Sequence, residues 1–159
     1  MVLRTPTSRQ AEGLGGGVDP ARCVCIVVGA SVRAELEDRA AAYSLQAAAE
    51  RELSRRLGPA MGGWRVVVLT DVWYLNHEDL RPCPTIAVGG PGNCALSAAW
   101  IGALPEAMSI EDVLAVHARP DFSEPAAVCW GVDGPATRSA AELFAERYLE
   151  RFAGAALAG

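Results

Sequence analysis

Residues 23–29 read Cys-Val-Cys-Ile-Val-Val-Gly, an unbroken apolar run that ends in glycine. A strand with one face in water alternates apolar and polar residues, whereas a continuous apolar run is typical of a strand buried on both faces. Strands of that kind occur mainly in parallel sheets that helices cover above and below. The run therefore predicts the central strand of an α/β fold.

The chain after this strand has the periodicity of a helix. Between Ser31 and Leu57, apolar residues recur at spacings of three and four, and charged residues fill most other positions. This pattern predicts one amphipathic helix, which Gly58 and Pro59 end. Similar reasoning predicts further strands at 64–69, 85–88 and 126–131, an irregular segment at 70–84, and helices at 94–101 and at the C-terminus.

Two stretches of the sequence leave alternatives open. Residues 113–118 fit a short helix capped at Ser109 or a strand, and their alternation and Pro120 favour the strand. The last helix, which extends to Ala153, begins either at Pro135 or at Ser139, where Ser139 and Glu142 have the spacing of a capping box.

The element order predicts a three-layer αβα sandwich around a mainly parallel sheet of about four or five strands. If 113–118 is a strand, it forms an antiparallel C-terminal hairpin with 126–131. Residues 1–21 are polar and contain four glycines, so we expect a flexible N-terminal arm. Residues 22–159 then form a single domain, the size expected for one hydrophobic core.

Composition disfavours several classes of protein. The net charge is −5, and the arginines, which are the only basic residues, lie close to acidic ones, so a nucleic-acid partner is not expected. No run approaches the roughly 20 apolar residues of a membrane span. Residues 1–19 lack the apolar core of a secretory signal, and we therefore expect a cytoplasmic protein with no membrane partner.

Five cysteines are present, and the sequence predicts that they are reduced, buried thiols. Cys23 and Cys25 lie two apart on one strand and face the same side, which suits a mutual disulfide poorly. There is no Cys-x-x-Cys pair and there are two histidines in all, so neither a metal site nor a cofactor is predicted.

Three glycine-containing bends follow predicted strands, at 29–31, 89–94 and 131–137. Ligands of α/β proteins bind beyond the carboxyl ends of the strands, where glycine allows close approach and a helix N-terminus attracts anions. The simpler interpretation is a set of tight turns, with Asn93 as a helix cap. The candidate ligand-binding residues on these bends are Gly89, Gly90, Asn93, Cys94, Asp133 and Thr137.

The segment 71–79 is the other candidate, because it places aromatic rings beside hydrogen-bonding groups just after a strand. Such a loop suits a small polar or anionic ligand or a partner surface, or it packs its aromatic rings beneath itself. Its candidate residues are Asp71, Trp73, Tyr74 and His77. An alternative is an enzyme of unassigned chemistry that uses this loop and the 89–94 bend, with Cys94 as the nucleophile.

Ile86-Ala-Val-Gly-Gly-Pro-Gly-Asn93 and Val128-Cys-Trp-Gly-Val-Asp-Gly-Pro-Ala-Thr137 each join a strand to a helix. Over residues 85–153 the chain resembles the small α/β domains of archaeal S-layer proteins and the type 2 cell-wall-binding repeats of bacteria. The resemblance implies a noncatalytic binding or assembly domain. It also implies turn-forming roles for Gly89, Gly90, Pro91, Asn93 and Thr137.

The sequence thus predicts a noncatalytic domain that binds a small ligand or another protein, including a second copy of itself. This expectation depends on the absence of a nucleophile–base pair at a recognisable spacing and of a phosphate-binding glycine loop. It also requires that the glycine-containing bends gather along one rim of the sheet.

Overall fold

The structure is a computed structural model that describes residues 19–159. Most of the predicted arm, 1–21, therefore lies outside the described residues. The last residues of this arm join Arg22 in a short 3-10 turn, Pro20–Arg22, which Asp19 caps by accepting a hydrogen bond from the Ala21 amide at 3.0 Å.

The sheet has six strands, bounded as follows: β1 (Cys23–Val28), β2 (Arg65–Thr70), β3 (Thr85–Val88), β4 (Glu106–Ile110), β5 (Leu114–Ala118) and β6 (Ala126–Gly131). Their spatial order is β2-β1-β3-β6-β5-β4. The first four in this order are parallel, whereas β5 is antiparallel to both β6 and β4. The expected α/β sheet with a parallel core and an antiparallel C-terminal hairpin is confirmed.

The helices are α1 (Val32–Glu37), α2 (Arg39–Leu57), α3 (Asp71–Leu75), α4 (Ala95–Ile101), α5 (Gly134–Arg147) and α6 (Leu149–Ala158). One layer of the sandwich contains α1, α2, α5 and α6, and the other contains α3 and α4. Successive β1 residues face opposite layers: Val24, Ile26 and Val28 face the first, and Cys23, Cys25 and Val27 face the second. All six are buried, which explains the unbroken apolar run.

Several predicted elements differ from the structure. Strand β4 was not predicted, and it raises the strand number to six. The single helix predicted for 31–57 is wrong, because it breaks at Asp38, whose side chain turns into the protein. The last helix likewise breaks at Tyr148. The segment predicted as irregular, 70–84, contains α3 and a 3-10 turn at Glu78–Leu80.

Both open alternatives are resolved by the structure. Residues 114–118 form a strand, and α5 takes the earlier start, with Asp133 accepting a hydrogen bond from the Ala136 amide at 2.8 Å. Pro135 then lies in the first turn, where its missing N–H costs nothing.

The connections place a topological switch point between β1 and β3. The chain leaves β1 toward α1 in one layer, whereas it leaves β3 toward α4 in the other. This divergence opens a crevice between neighbouring strands in many α/β proteins. We call the edge of the sheet at the carboxyl ends of β1, β2, β3 and β6 the carboxyl rim. All three glycine-containing bends lie on it.

Candidate functional site

The crevice at the switch point is closed by the protein's own backbone. A Cβ added to Gly29 would overlap the carbonyl oxygen of Asn93 and lie 2.9 Å from the Cβ of Ala34. The bends after β1 and β3 thus touch each other directly. This close approach requires glycine at position 29 and leaves no room there for a ligand.

Asp71 ties three elements together at this rim. Its side chain is 6 % exposed. One oxygen, Oδ1, accepts hydrogen bonds from the amides of Ala30 at 3.1 Å and Val72 at 2.8 Å, and Oδ2 accepts from Ala95 at 2.8 Å. The carboxylate therefore occupies a donor on the bend after β1 and one at the start of α4, where the sequence analysis expected an anionic ligand.

Asp38 occupies the adjacent part of the crevice. Its side chain is 1 % exposed and accepts a hydrogen bond at 3.1 Å from the side-chain Nδ2 of Asn93. A Cβ on Gly89, which has φ of +114°, would lie 2.6 Å from the Asp38 carboxylate. Burial raises the pKa of Asp38, and the hydrogen bond from Asn93 partly opposes that rise.

The structure brings five candidate residues into this one cluster: Asp71, Gly89, Asn93, Cys94 and Thr137. The first four surround the contact between the bends. Thr137 joins through the Gly131 amide, which donates to its Oγ1 at 3.1 Å. The side chains of Asp71, Asn93 and Thr137 have hydrogen-bond partners within the protein and Cys94 is buried, so the cluster closes the rim.

Of the remaining candidates, Gly90 and Asp133 contact the cluster through their carbonyls, which accept hydrogen bonds from the backbone amides of Asn93 and Thr137. Trp73 stacks on His77 with ring centroids 4.2 Å apart, and the His77 Nδ1 contacts the Trp73 carbonyl at 2.7 Å. Tyr74 is buried, and its hydroxyl lies 3.3 Å from the Thr85 Oγ1. Gly90 is half-buried beside Trp130, and Asp133 caps α5. A ligand role for these residues stays a prediction.

Cys94 is poorly suited to nucleophilic catalysis. Its side chain is buried, and burial raises the pKa of its thiol, although the neighbouring Ser97 partly opposes the rise. It caps α4 without a side-chain hydrogen bond. A buried, protonated thiol is a weak nucleophile.

The carboxyl rim carries most of the exposed large apolar side chains in residues 19–159. Val132 follows β6, Ile110 and Val113 flank the turn between β4 and β5, and four more lie on α1 and α3, the helices that follow β1 and β2. Leu75, the last residue of α3, and Tyr43, on α2, are left out of the set. We call this set the apolar rim: Val32, Leu36, Val72, Trp73, Ile110, Val113 and Val132. Leu36 is 81 % exposed and Val132 54 % exposed. The set extends along the rim from β2 to β4, which lie at opposite edges of the sheet.

A groove of about 450 Å³ runs beside the turn between β4 and β5. Ile110, Val113 and Trp130 form its apolar walls, and Glu111 and Asp112 supply carboxylates. No arginine in the described residues, 19–159, forms an ion pair with either of these acids. The groove therefore combines apolar surface with uncompensated negative charge.

The sequence analysis missed a second cluster, which lies at the opposite end of the strands from the carboxyl rim, near the amino end of β1. The sulfur atoms of Cys23, Cys25 and Cys83 all lie within 4.8 Å of one another, and all three residues are buried. Because β3 pairs with β1 in the register Cys25 to Thr85, Cys83 lies beside the start of β1. The separation of about 60 residues hid this contact; only the strand pairing reveals it.

The three thiols interact strongly. Hydrogen bonds from Cys23 and Cys25 lower the pKa of Cys83, and the hydrogen bonds to Cys23 and Cys83, together with burial, raise the pKa of Cys25. The pKa of Cys23 is raised overall, because Cys83 and burial together outweigh the contact with Cys25, which lowers it. The Cys83 thiol also donates a hydrogen bond to the Pro20 carbonyl, with 3.1 Å between sulfur and oxygen.

Comparisons with known proteins do not assign a family. No protein-family model matches the chain, and a search of curated proteins finds no match to it. In residues 19–159, no helix has the length and apolar character required to cross a membrane.

Replacing Asp71 with asparagine tests its role at the rim. The amide keeps one acceptor oxygen and directs an NH2 group at a backbone N–H, so at least one buried donor loses its partner. We expect the free energy of unfolding to fall by about 2–3 kcal/mol, measured by urea denaturation. Asp133→Asn is the matched control, because asparagine caps helices as well as aspartate does; an equal loss in both variants would contradict this role.

Asp38→Asn tests the buried carboxyl through the pH dependence of stability. A carboxyl whose folded-state pKa lies above its ordinary value of 3.8 binds more protons in the folded state between those two values. Wild-type stability should therefore fall as pH rises through the raised pKa. Asparagine keeps an acceptor for Asn93 and cannot ionise, so we expect a flatter pH profile in denaturant melts than for wild type or the exposed-site control Asp79→Asn. Parallel profiles for Asp38→Asn and wild type would refute the assignment.

Proposed function

We propose that this protein is a noncatalytic interaction domain whose apolar rim and adjacent acidic groove bind a basic, amphipathic segment of another protein. The observation that supports this proposal is the set of exposed apolar side chains along the carboxyl rim, because such side chains mark interaction surfaces. The unpaired carboxylates of Glu111 and Asp112 lie beside them in the groove. Apolar side chains of the partner would cover the rim, and its Arg or Lys side chains would neutralise the groove.

Closure of the crevice favours a protein partner over a small ligand. Asp38, Asp71 and Asn93 fill the switch point, so the polar groups there are already hydrogen bonded. The surface outside the switch point carries exposed apolar side chains that are distributed beyond the carboxyl ends of four strands, β1, β2, β4 and β6. A protein segment covers such a surface, whereas a small molecule needs an enclosing cavity.

Charge favours a different protein over a second copy. The chain carries a net charge of −5, and a second copy would bring the same carboxylates to the interface. A basic partner would gain from these charges instead, with a rate and affinity that fall as salt rises. The noncatalytic class also agrees with what the resemblance to S-layer and cell-wall-binding domains implies.

We also propose that the protein works in the cytoplasm. The support is chemical: five cysteines are free, and three of them lie close enough together to be oxidised in a disulfide-forming compartment.

The proposal is tested with a labelled helical peptide that has leucines on one face and arginines on the other. We expect saturable binding by fluorescence anisotropy, and much weaker binding of the same peptide with glutamate in place of arginine. The double variant Glu111→Gln, Asp112→Asn should weaken binding about tenfold, as expected for two ion pairs of about 0.7 kcal/mol each. Val132→Ser should weaken it as well.

Matched controls lie on other surfaces of the molecule. Glu142→Gln with Glu146→Gln removes the same charge from α5, and Tyr43→Ser removes an exposed apolar side chain from α2; neither should change binding. Equal affinity for the glutamate peptide, or equal losses in the control variants, would contradict the proposal. So would a dimer in analytical ultracentrifugation that Val132→Ser dissociates, because a second copy would then be the occupant.

A further inference from the structure

The cluster of Cys23, Cys25 and Cys83 lies at the amino end of β1, at the far edge of the sheet from the rim. Cys23 and Cys25 project from one face of the strand because alternate residues share a face. Cys83 lies two residues before the start of β3, the neighbouring strand. Two ligand atoms thus come from β1 and the third from the bend that leads into the neighbouring strand β3.

We propose that these three thiols form a binding site for a soft, thiophilic metal ion that is coordinated by three sulfurs, and that this ion is Cu(I). Three sulfurs that bond one ion at about 2.3 Å in a plane lie about 4 Å from one another. The observed upper limit of 4.8 Å accommodates that triangle with small side-chain movements. Thiolates are the ligands that Cu(I) prefers.

The donor set favours Cu(I) over Zn(II). Zinc in structural sites takes four ligands, usually cysteine or histidine. Among residues 19–159 the cluster contains three such groups, and residues 1–18 include neither cysteine nor histidine. Both histidines of the chain, His77 and His117, contact other partners. A site with three sulfur donors suits an ion of low coordination number.

The surroundings exclude water and hold the sulfurs in place. Leu80 and Tyr74, both buried, pack in the same apolar cluster as the three thiols. The Thr85 hydroxyl donates to the Cys83 carbonyl at 2.8 Å and lies 3.3 Å from the Tyr74 hydroxyl, which fixes the backbone next to the ligand. A dry, sulfur-lined site protects Cu(I) from oxidation and from a fourth, aqueous ligand.

Binding in this site is coordination without a redox step. Each thiol that bonds the ion releases its proton to solvent, and copper enters and remains as Cu(I). Cys83, which is 5 % exposed and lies beside Pro20, is the outermost of the three sulfur ligands. It is the first to meet an ion that arrives from this edge.

The test uses the full chain, reduced and free of oxygen, in competition with the Cu(I) chelator bicinchoninate. We expect each chain to withdraw a single copper ion from the chelator, and X-ray absorption to show three sulfur neighbours. Cys83→Ala should abolish this retention. Cys94→Ala and Cys129→Ala remove buried thiols outside the cluster and should retain copper as the wild type does.

Several results would overturn the inference. These are failure of the wild-type chain to compete with the chelator, retention by Cys83→Ala equal to wild type, nitrogen or oxygen neighbours in the absorption spectrum, and retention of Zn(II) in preference to Cu(I). Far-UV circular dichroism checks that each variant is folded. If Cys83→Ala does not fold, the sulfur count of the wild-type complex decides alone.

Discussion

The carboxylate of Asp71 is the interaction on which the architecture of the carboxyl rim depends. It satisfies amides from the bend after β1, from α3 and from the start of α4, and so fixes elements from both sides of the switch point to one another. Hydrogen bonds to a charged, buried acceptor are among the stronger ones in proteins. With Asp38 beneath Gly89, this carboxylate converts the usual ligand crevice into a closed seam.

Because the seam is closed, the proposed binding surface lies outside it, on the apolar rim and the adjacent groove. The rim offers apolar side chains and two free acids, and the proposed partner is defined by that chemistry. The thiol cluster lies at the other edge of the sheet and shares none of these residues. The proposed interaction surface and the proposed metal site thus depend on different ends of β1: its carboxyl end leads into the seam, and its amino end supplies two sulfurs.

Local sequence patterns predicted the elements whose own residues define them. The apolar runs of β1, β3 and β6 require burial on both faces, and the sequence shows this directly. Strand β4 was not predicted because Glu106-Ala-Met-Ser-Ile110 is a half-exposed edge strand without an apolar run, and its pairing with β5 defines it. The break at Asp38 and the approach of Cys83 to Cys23 also depend on long-range contacts, which periodicity does not encode. The bends were placed on the correct rim, but the partners of Asp71 and Asn93 were not foreseeable.

The most direct measurement of the central claim, that the seam is closed and the surface outside it binds, is amide chemical-shift mapping by NMR during titration with the arginine–leucine peptide. The account predicts shifts at Ile110, Val113 and Val132, with the amides of Ala30 and Gly89 unchanged. Shifts centred on 89–94 and Ala30, with the apolar rim unaffected, would show that the crevice opens to a ligand and would contradict the account.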